Sequence, residues 1–280
     1  MTTPRITLND GHTIPQLGFG VWQVPPPEAE QVVAEALQVG YRHIDTAQMY
    51  QNESGVGRAV AASGLPRADV FITTKVNNNA HRPADATASI QRSLEELGTD
   101  YLDLLLIHWP LPTQYEGDFV STWEALIAAR DAGHVRSIGV SNFQPAHLEA
   151  LHRTGVTPAV NQVEVHPYFS NNAVRAANAA QGTVTEVWSP LGQGSVLTDP
   201  VITAIADRLG RTAAQVIIRW HLQRGDVVFP KTVTPSRMSE NADVFDFQLA
   251  TDDLQRLDAL NKGEEGRIGP NPDVFDWIPN

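Results

Sequence analysis

The chain has 280 residues, 42% of them hydrophobic and 19% charged, and a formal net charge of -12. That length buries a sizeable core, as one large α/β unit or two small ones, while the acidity disfavours non-specific contact with nucleic acid or anionic membranes. With no cysteine, disulfides, thiolate metal sites and thiol nucleophiles are excluded, and a reducing compartment is compatible.

The first residues, MTTPRITLND, lack the apolar stretch of a signal peptide. No apolar run approaches the ~20 residues of a membrane-spanning helix. A cytoplasmic protein without membrane contact is the expectation. Ile6, Leu8 and Ile14 flank Asp10-Gly11, a hairpin signal. A strand is needed near residues 17–21. Ala29, Val32, Val33, Ala36 and Leu37 then recur at helical spacing before Gly40. Strand YRHID, a helix over 53–62, a strand over 70–75 and a helix through Ile90, Leu94 and Leu97 follow.

The alternation persists: strands over 102–107, 135–140, 159–163, 184–188 and 227–229, helices over 120–132, 147–151, 172–180, 201–209 and 213–223. Two more helices cover 235–242 and 252–260. Eight βα units in about 250 residues, with no linker-like stretch, predict one closed (β/α)8 TIM barrel domain over 1–280. An open doubly wound sheet would carry Gly-x-Gly-x-x-Gly after its first strand. Gly18-Phe19-Gly20 lacks the third glycine. The tail after Leu260 holds Ile268, Val274, Phe275, Trp277 and Ile278, too apolar for a disordered end. It is expected to pack back over the active site.

Three strands end on polar residues that a barrel core would not choose: Asp45, Lys75 and His108. Tyr50 lies in the loop after the first of these. Barrel active sites form at the C-terminal ends of the strands, so the four meet. A Lys beside a carboxylate stays protonated, and a phenol beside that ammonium is expected to have its pKa lowered towards neutrality. Such a Tyr can give a proton to a carbonyl oxygen and recover it; His108 can donate a hydrogen bond to the same oxygen. Nothing here supplies a strong nucleophile or a metal cage. Carbonyl reduction fits, with the hydride coming from a cofactor.

The stretches GYRHIDTAQMYQNE, ITTK, LLLIHWP, RSIGVSNF, PAVNQVEVHP and VVFPK resemble the aldo-keto reductase family, with VWSPLGQG and NADVFDF most similar to its bacterial 2,5-diketo-D-gluconate reductases. The resemblance implies a catalytic tetrad of Asp45, Tyr50, Lys75 and His108, Tyr50 being the general acid. It implies NADPH, with Ser141, Asn142 and Gln162 at the nicotinamide carboxamide, Trp188 stacked on its ring, and Ser189 and Leu191 beside it. Strand-end capping is the plainer role for the first three.

Lys231 and Arg237 put positive charge beside a helix N-terminus, an anion-binding arrangement. By resemblance they hold the adenosine 2′-phosphate, with Thr232 and Val233 in the same loop and Glu240 and Asn241 near the adenine. Thr234 stands where relatives often carry Arg, which softens the preference for NADPH over NADH. Trp22, Met49, Asn77 and Trp109, with Phe143, are expected to rim a pocket for a small carbonyl substrate, completed by the loop LPTQYEGDF and residues 267–277. Asn77 replaces a Trp common in relatives and should open or wet the pocket. A monomer is expected. A non-catalytic cofactor-binding module on the same fold is the competing reading. A phosphate-binding barrel isomerase lacks its late Gly-rich loop here.

Overall fold

Asp10-Gly11 turns the chain as expected. In the computed structural model, which describes residues 3–279, β1 (Arg5–Thr7) pairs antiparallel with β2 (Thr13–Pro15). Gly11 takes φ +88°, a conformation costly for any residue with a Cβ. Leu8 and Ile14 of this hairpin pack on Phe71, Leu104, Val160 and Val227 and plug one end of a barrel.

The barrel is built from β3 (Phe19–Gly20), β4 (His43–Asp45), β5 (Phe71–Val76), β6 (Leu102–Ile107), β7 (Val135–Ser141), β8 (Val160–Glu164), β9 (Val184–Trp188) and β10 (Val227–Val228). They lie parallel, each beside its successor. The last strand meets the first: Val228 N–H donates to Gln16 O at 2.9 Å, and Gly18 N–H donates to Val228 O at 2.8 Å. Those bonds close the (β/α)8 barrel and dispose of the open doubly wound sheet.

Outside it run α1 (Ala29–Val39), α2 (Glu53–Ala62), α3 (Pro83–Leu97), α4 (Phe119–Asp131), α5 (Pro145–Leu151), α6 (Asn172–Gln181), α7 (Pro200–Leu209), α8 (Ala213–Gln223), α9 (Pro235–Ala242) and α10 (Thr251–Asp258). The periodic residues of α1, Ala29, Val32, Val33, Ala36 and Leu37, are its buried face. Each fully buried Val or Leu contributes roughly 1.5–3 kcal/mol. Gly40 ends this helix in a left-handed conformation, and Thr212 with Gln215 caps the start of α8 reciprocally. Among the described residues no helix is long and apolar enough to cross a membrane.

The tail folds back over the C-terminal ends of the strands. The Glu164 carboxylate, at the end of β8, accepts from the backbone N–H of Ile268 at 2.6 Å and of Gly269 at 2.8 Å. Phe275 stacks at a tilt on Trp109, ring centres 4.2 Å apart, and Asn78 donates to Trp277 O at 2.9 Å. A Cβ on Gly269 would sit 2.4 Å from the Trp188 ring, so only glycine allows this approach.

Candidate active site

Asp45 ends β4, Lys75 is the penultimate residue of β5, and His108 follows β6 at once. Parallel pairing in register therefore brings three polar groups to one rim. The Lys75 side chain is fully buried. Removing an ammonium from water costs several kcal/mol, and three acceptors offset that cost. Nζ donates to both Asp45 oxygens at 2.8 and 2.9 Å and to Thr46 O at 2.9 Å. Burial pushes the Lys75 pKa down, but Asp45, Tyr50 and Glu186 pull it up, and the balance is upward. Lys75 stays charged.

A single turn of 3-10 helix, Gln48–Tyr50, brings the phenol back over this pair. Its oxygen lies 3.5 Å from Lys75 Nζ. The expected fall of the phenol pKa towards neutrality is not met: burial raises it, and the opposing pull of Lys75 is smaller. The reason is burial, which excludes the water that would stabilise a phenolate; the Asp45 charge adds to it. Tyr50 is thus held as a phenol. His108 faces it edge-on, ring centres 5.8 Å apart. Burial first, and Lys75 second, hold the His108 pKa well below its ordinary value. The imidazole is neutral, its Nδ1 is buried without a partner among the described residues, and the ring lines a cavity, which leaves Nε2 as the nitrogen for a ligand.

Across the barrel, Ser141 ends β7 and donates to Gln162 O at 2.9 Å. Asn142 and Ser189, each just past a strand, have positive φ of 64° and 49°. Backbone strain of this kind is held in place by its surroundings. Here the Asn142 amide donates to His108 O, and its oxygen accepts from the Trp188 indole, at 2.9 and 2.8 Å. These contacts fit the capping role, yet leave the Trp188 face and Gln162 Oε1 free for a ligand.

These groups surround a cavity of about 650 Å³. Asp45, Tyr50, His108, Ser141, Asn142 and Gln162 line it, as do Trp188, Ser189, Leu191, Lys231, Trp22, Met49 and Trp109. Lys75 sits behind Asp45 and Tyr50. Three expectations for the pocket are corrected. Asn77 is absent from the lining, because its side chain turns back to accept from Asn78 N–H at 2.8 Å. Phe143 is wholly buried, edge-on to Phe119. The loop 111–119 supplies no lining residue; Tyr115 stacks on His81 and donates to Asn78 O instead. The tail does line the cavity, through Ile268, Gly269, Pro270 and Phe275.

Thr232, Val233, Arg237, Glu240 and Asn241 lie beyond the cavity, in the loop after β10 and in α9. Thr232 Oγ1 accepts from Thr234 N–H, and Glu240 accepts from Thr212. Lys231 and Arg237 are exposed there. Among the described residues neither cation forms an ion pair; Arg211 holds the carboxylates of Asp243 and Asp246. Sequence reasoning missed Gly20, Phe229 and Pro230, apolar or small residues without a chemical signature, and Gln193, a single polar residue in a loop. It also missed Glu186, although a lone acid within VTEVW is the kind of signal that marks an inward-facing polar group.

Comparison with known proteins follows this geometry. A family profile described as "Aldo/keto reductase family" matches residues 16–262. An aldo-keto reductase of Mycolicibacterium smegmatis is 52% identical over 276 residues, 98% of this chain and 99% of that one. Methylglyoxal reductase DkgA of Salmonella typhimurium is 48% identical, with 98% and 99% covered. The crystal structure of a Gox0644 mutant in complex with NADPH superposes with a TM-score of 0.94 at 44% identity, covering 99% of this chain and 100% of that one.

Proposed function

The chain belongs to the aldo/keto reductase family, and on that premise we propose that it reduces small aldehydes, ketones or keto sugars to alcohols with NADPH. The observation that carries this reading is the Tyr50 phenol held 3.5 Å from a buried ammonium, beside a neutral His108, at the rim of the cavity. NADPH, when bound, supplies the hydride. The chain's own residues do the rest. His108 Nε2 donates to the carbonyl oxygen and orients it. Tyr50 gives its proton to that oxygen as the carbonyl carbon is reduced, and water later restores it. Lys75 stabilises the phenolate in the interval, and Asp45 anchors Lys75.

The residues fit the cofactor. Gln162 Oε1 and the Trp188 face suit a nicotinamide, and Lys231 with Arg237 suits a 2′-phosphate at the far end. Trp22, Met49, Trp109 and Phe275 give the remaining part apolar walls, suited to small uncharged carbonyl compounds. The reading takes the enzyme as a monomer in the cytoplasm, a compartment that suits a chain without cysteine.

Oxidation of NADPH in the presence of methylglyoxal, other aldehydes, dicarbonyls and keto sugars tests the reading; methylglyoxal is chosen because of the relatives named for it. Turnover of at least one is expected. NADPH binding with no turnover of any would favour a regulatory module instead. Replacing Arg237 with Ala is expected to raise the KM for NADPH about tenfold, the worth of a charge-assisted hydrogen bond, and to leave that for NADH nearly unchanged. Equal effects on both would sink the phosphate assignment.

A further inference from the structure

A single 3-10 turn has little stability of its own, yet one carries the proposed acid. The Tyr50 hydroxyl does not hold the turn in place, since its one bond, to Lys75 Nζ, is long at 3.5 Å. Gln51, the next residue, takes a left-handed φ of 57°, a conformation that its surroundings must hold. Gln48, at the start of the turn, supplies a firm attachment. Its Nε2 donates to Ser89 O at 2.6 Å and to Ser93 Oγ at 2.9 Å. Its Oε1 accepts from Ser89 Oγ at 2.6 Å and from Asn77 N–H at 3.3 Å. A primary amide offers two hydrogens and two lone pairs, and all are used. Turned over, the amide would set its oxygen against the Ser89 carbonyl and its nitrogen against the Asn77 N–H. Two backbone groups therefore fix its orientation.

The attachment flanks the ammonium. Gln48 stands two residues before Tyr50, and Asn77 two residues after Lys75. A second path reaches β5 from the other side of Lys75. Ser93 Oγ donates to Glu53 Oε1 at 2.8 Å, and Thr74 Oγ1, one residue before Lys75, donates to the same oxygen at 2.6 Å. Ser89, Ser93, Glu53 and Thr74 are all buried, where a lost partner is costly. Gln48 itself is only partly buried and does not line the cavity, so any effect it has on the chemistry runs through Tyr50 and its turn.

We propose that Gln48 is a positioning residue for the proton transfer: its amide ties the turn that carries Tyr50 to the strand that carries Lys75, and so sets the spacing of phenol and ammonium. This rests on the reading of Tyr50 as the acid. Gln48→Met keeps the length of the side chain and removes all four bonds. The turn then drifts from β5, and Tyr50 gives its proton from a poorer geometry. The contacts proposed for NADPH, across the barrel at Gln162 and Trp188, are left alone.

The experiment is the single-turnover rate of NADPH oxidation with a carbonyl compound that the wild-type enzyme reduces, so that product release does not mask the step. Gln48→Met is expected to slow it at least about tenfold, since misplacing a reacting group by about 1 Å can cost roughly 10²-fold. The Kd for NADPH is expected to stay within about twofold of wild type. In a Tyr50→Phe background the same substitution is expected to change the rate less than about twofold, because no phenol proton is left to position. An equal loss in both backgrounds would mean that Gln48 only holds the rim together, and overturns the proposal; so does a wild-type rate in Gln48→Met. A second readout needs no cofactor. The Tyr50 ring resonance of the free protein, labelled at tyrosine and assigned by its absence in Tyr50→Phe, is expected to move in Gln48→Met, and an unmoved resonance overturns the proposal. If Gln48→Met does not fold, Ser89→Ala removes one donor from Gln48 and goes through the same cycle, with a loss of about threefold, the worth of one modest hydrogen bond, expected only where Tyr50 is present. Tyr50→Phe at the wild-type rate would instead overturn the reading of the acid, and the proposal with it.

Discussion

Replacing Tyr50 with Phe is expected to cut kcat for carbonyl reduction by roughly 10²–10⁴-fold, the usual worth of a positioned general acid. NADPH affinity is expected to stay within about twofold, because the hydroxyl acts only as the transition state forms. The ring is kept, so its edge contact with His108 survives. Stability should barely change, since the phenol's one bond to Lys75 is long at 3.5 Å. Full activity in Tyr50→Phe would refute the assignment of the acid.

The pH profile of the wild-type enzyme follows from the same geometry. Burial raises the Tyr50 pKa above its ordinary value near 10. The acid is therefore protonated, and the reduction rate level, from neutral pH up to that value. It falls as pH rises through the raised pKa. His108 adds no acid limb in the neutral range, because its pKa lies well below 6.5. A rate that already falls between pH 7 and 8 would mean that bound cofactor or substrate reverses the balance between burial and Lys75, or that ionisation of Glu186 near pH 8 is felt at Tyr50. Glu186→Gln separates the two, since it abolishes only the second.

The fold was legible because period and punctuation agreed. Apolar runs ending at Gly40 and Gly98 became helices stopped by left-handed glycines, and β6 and β9 span the residues that the pattern marks. Asp45, Lys75 and His108 were legible because each interrupts an apolar strand at its end. Asn77 misled because nearness in sequence to Lys75 does not say which way a side chain turns; a local bond to Asn78 N–H settled it. Glu186 was passed over because it lies within its strand, where only the closed barrel shows that it faces Gln162 and Asp45. The sign of the Tyr50 shift was missed for a related reason. Sequence supplies the charges near a group, but not how much water is excluded from it.

Lys75→Met carries the second large effect, and two measurements together give it meaning. The substitution leaves Asp45, only 2% exposed, with the Gln162 amide as its remaining donor. Breaking a buried ion pair in this way costs roughly 3–5 kcal/mol, which unfolding by denaturant can read. Activity is expected to fall at least about 10²-fold, as when one stabilising charge is taken from a developing anion. Loss of activity alone would not separate a catalytic Lys from a structural one. The double variant Asp45→Leu with Lys75→Met does. It removes both charges, leaves an apolar pair of similar bulk, and is expected to recover most of the lost stability. If the pair were present only to hold the barrel rim together, activity would recover with it. Activity is expected to remain down by the same factor, because the phenolate that forms at Tyr50 would still lack its ammonium.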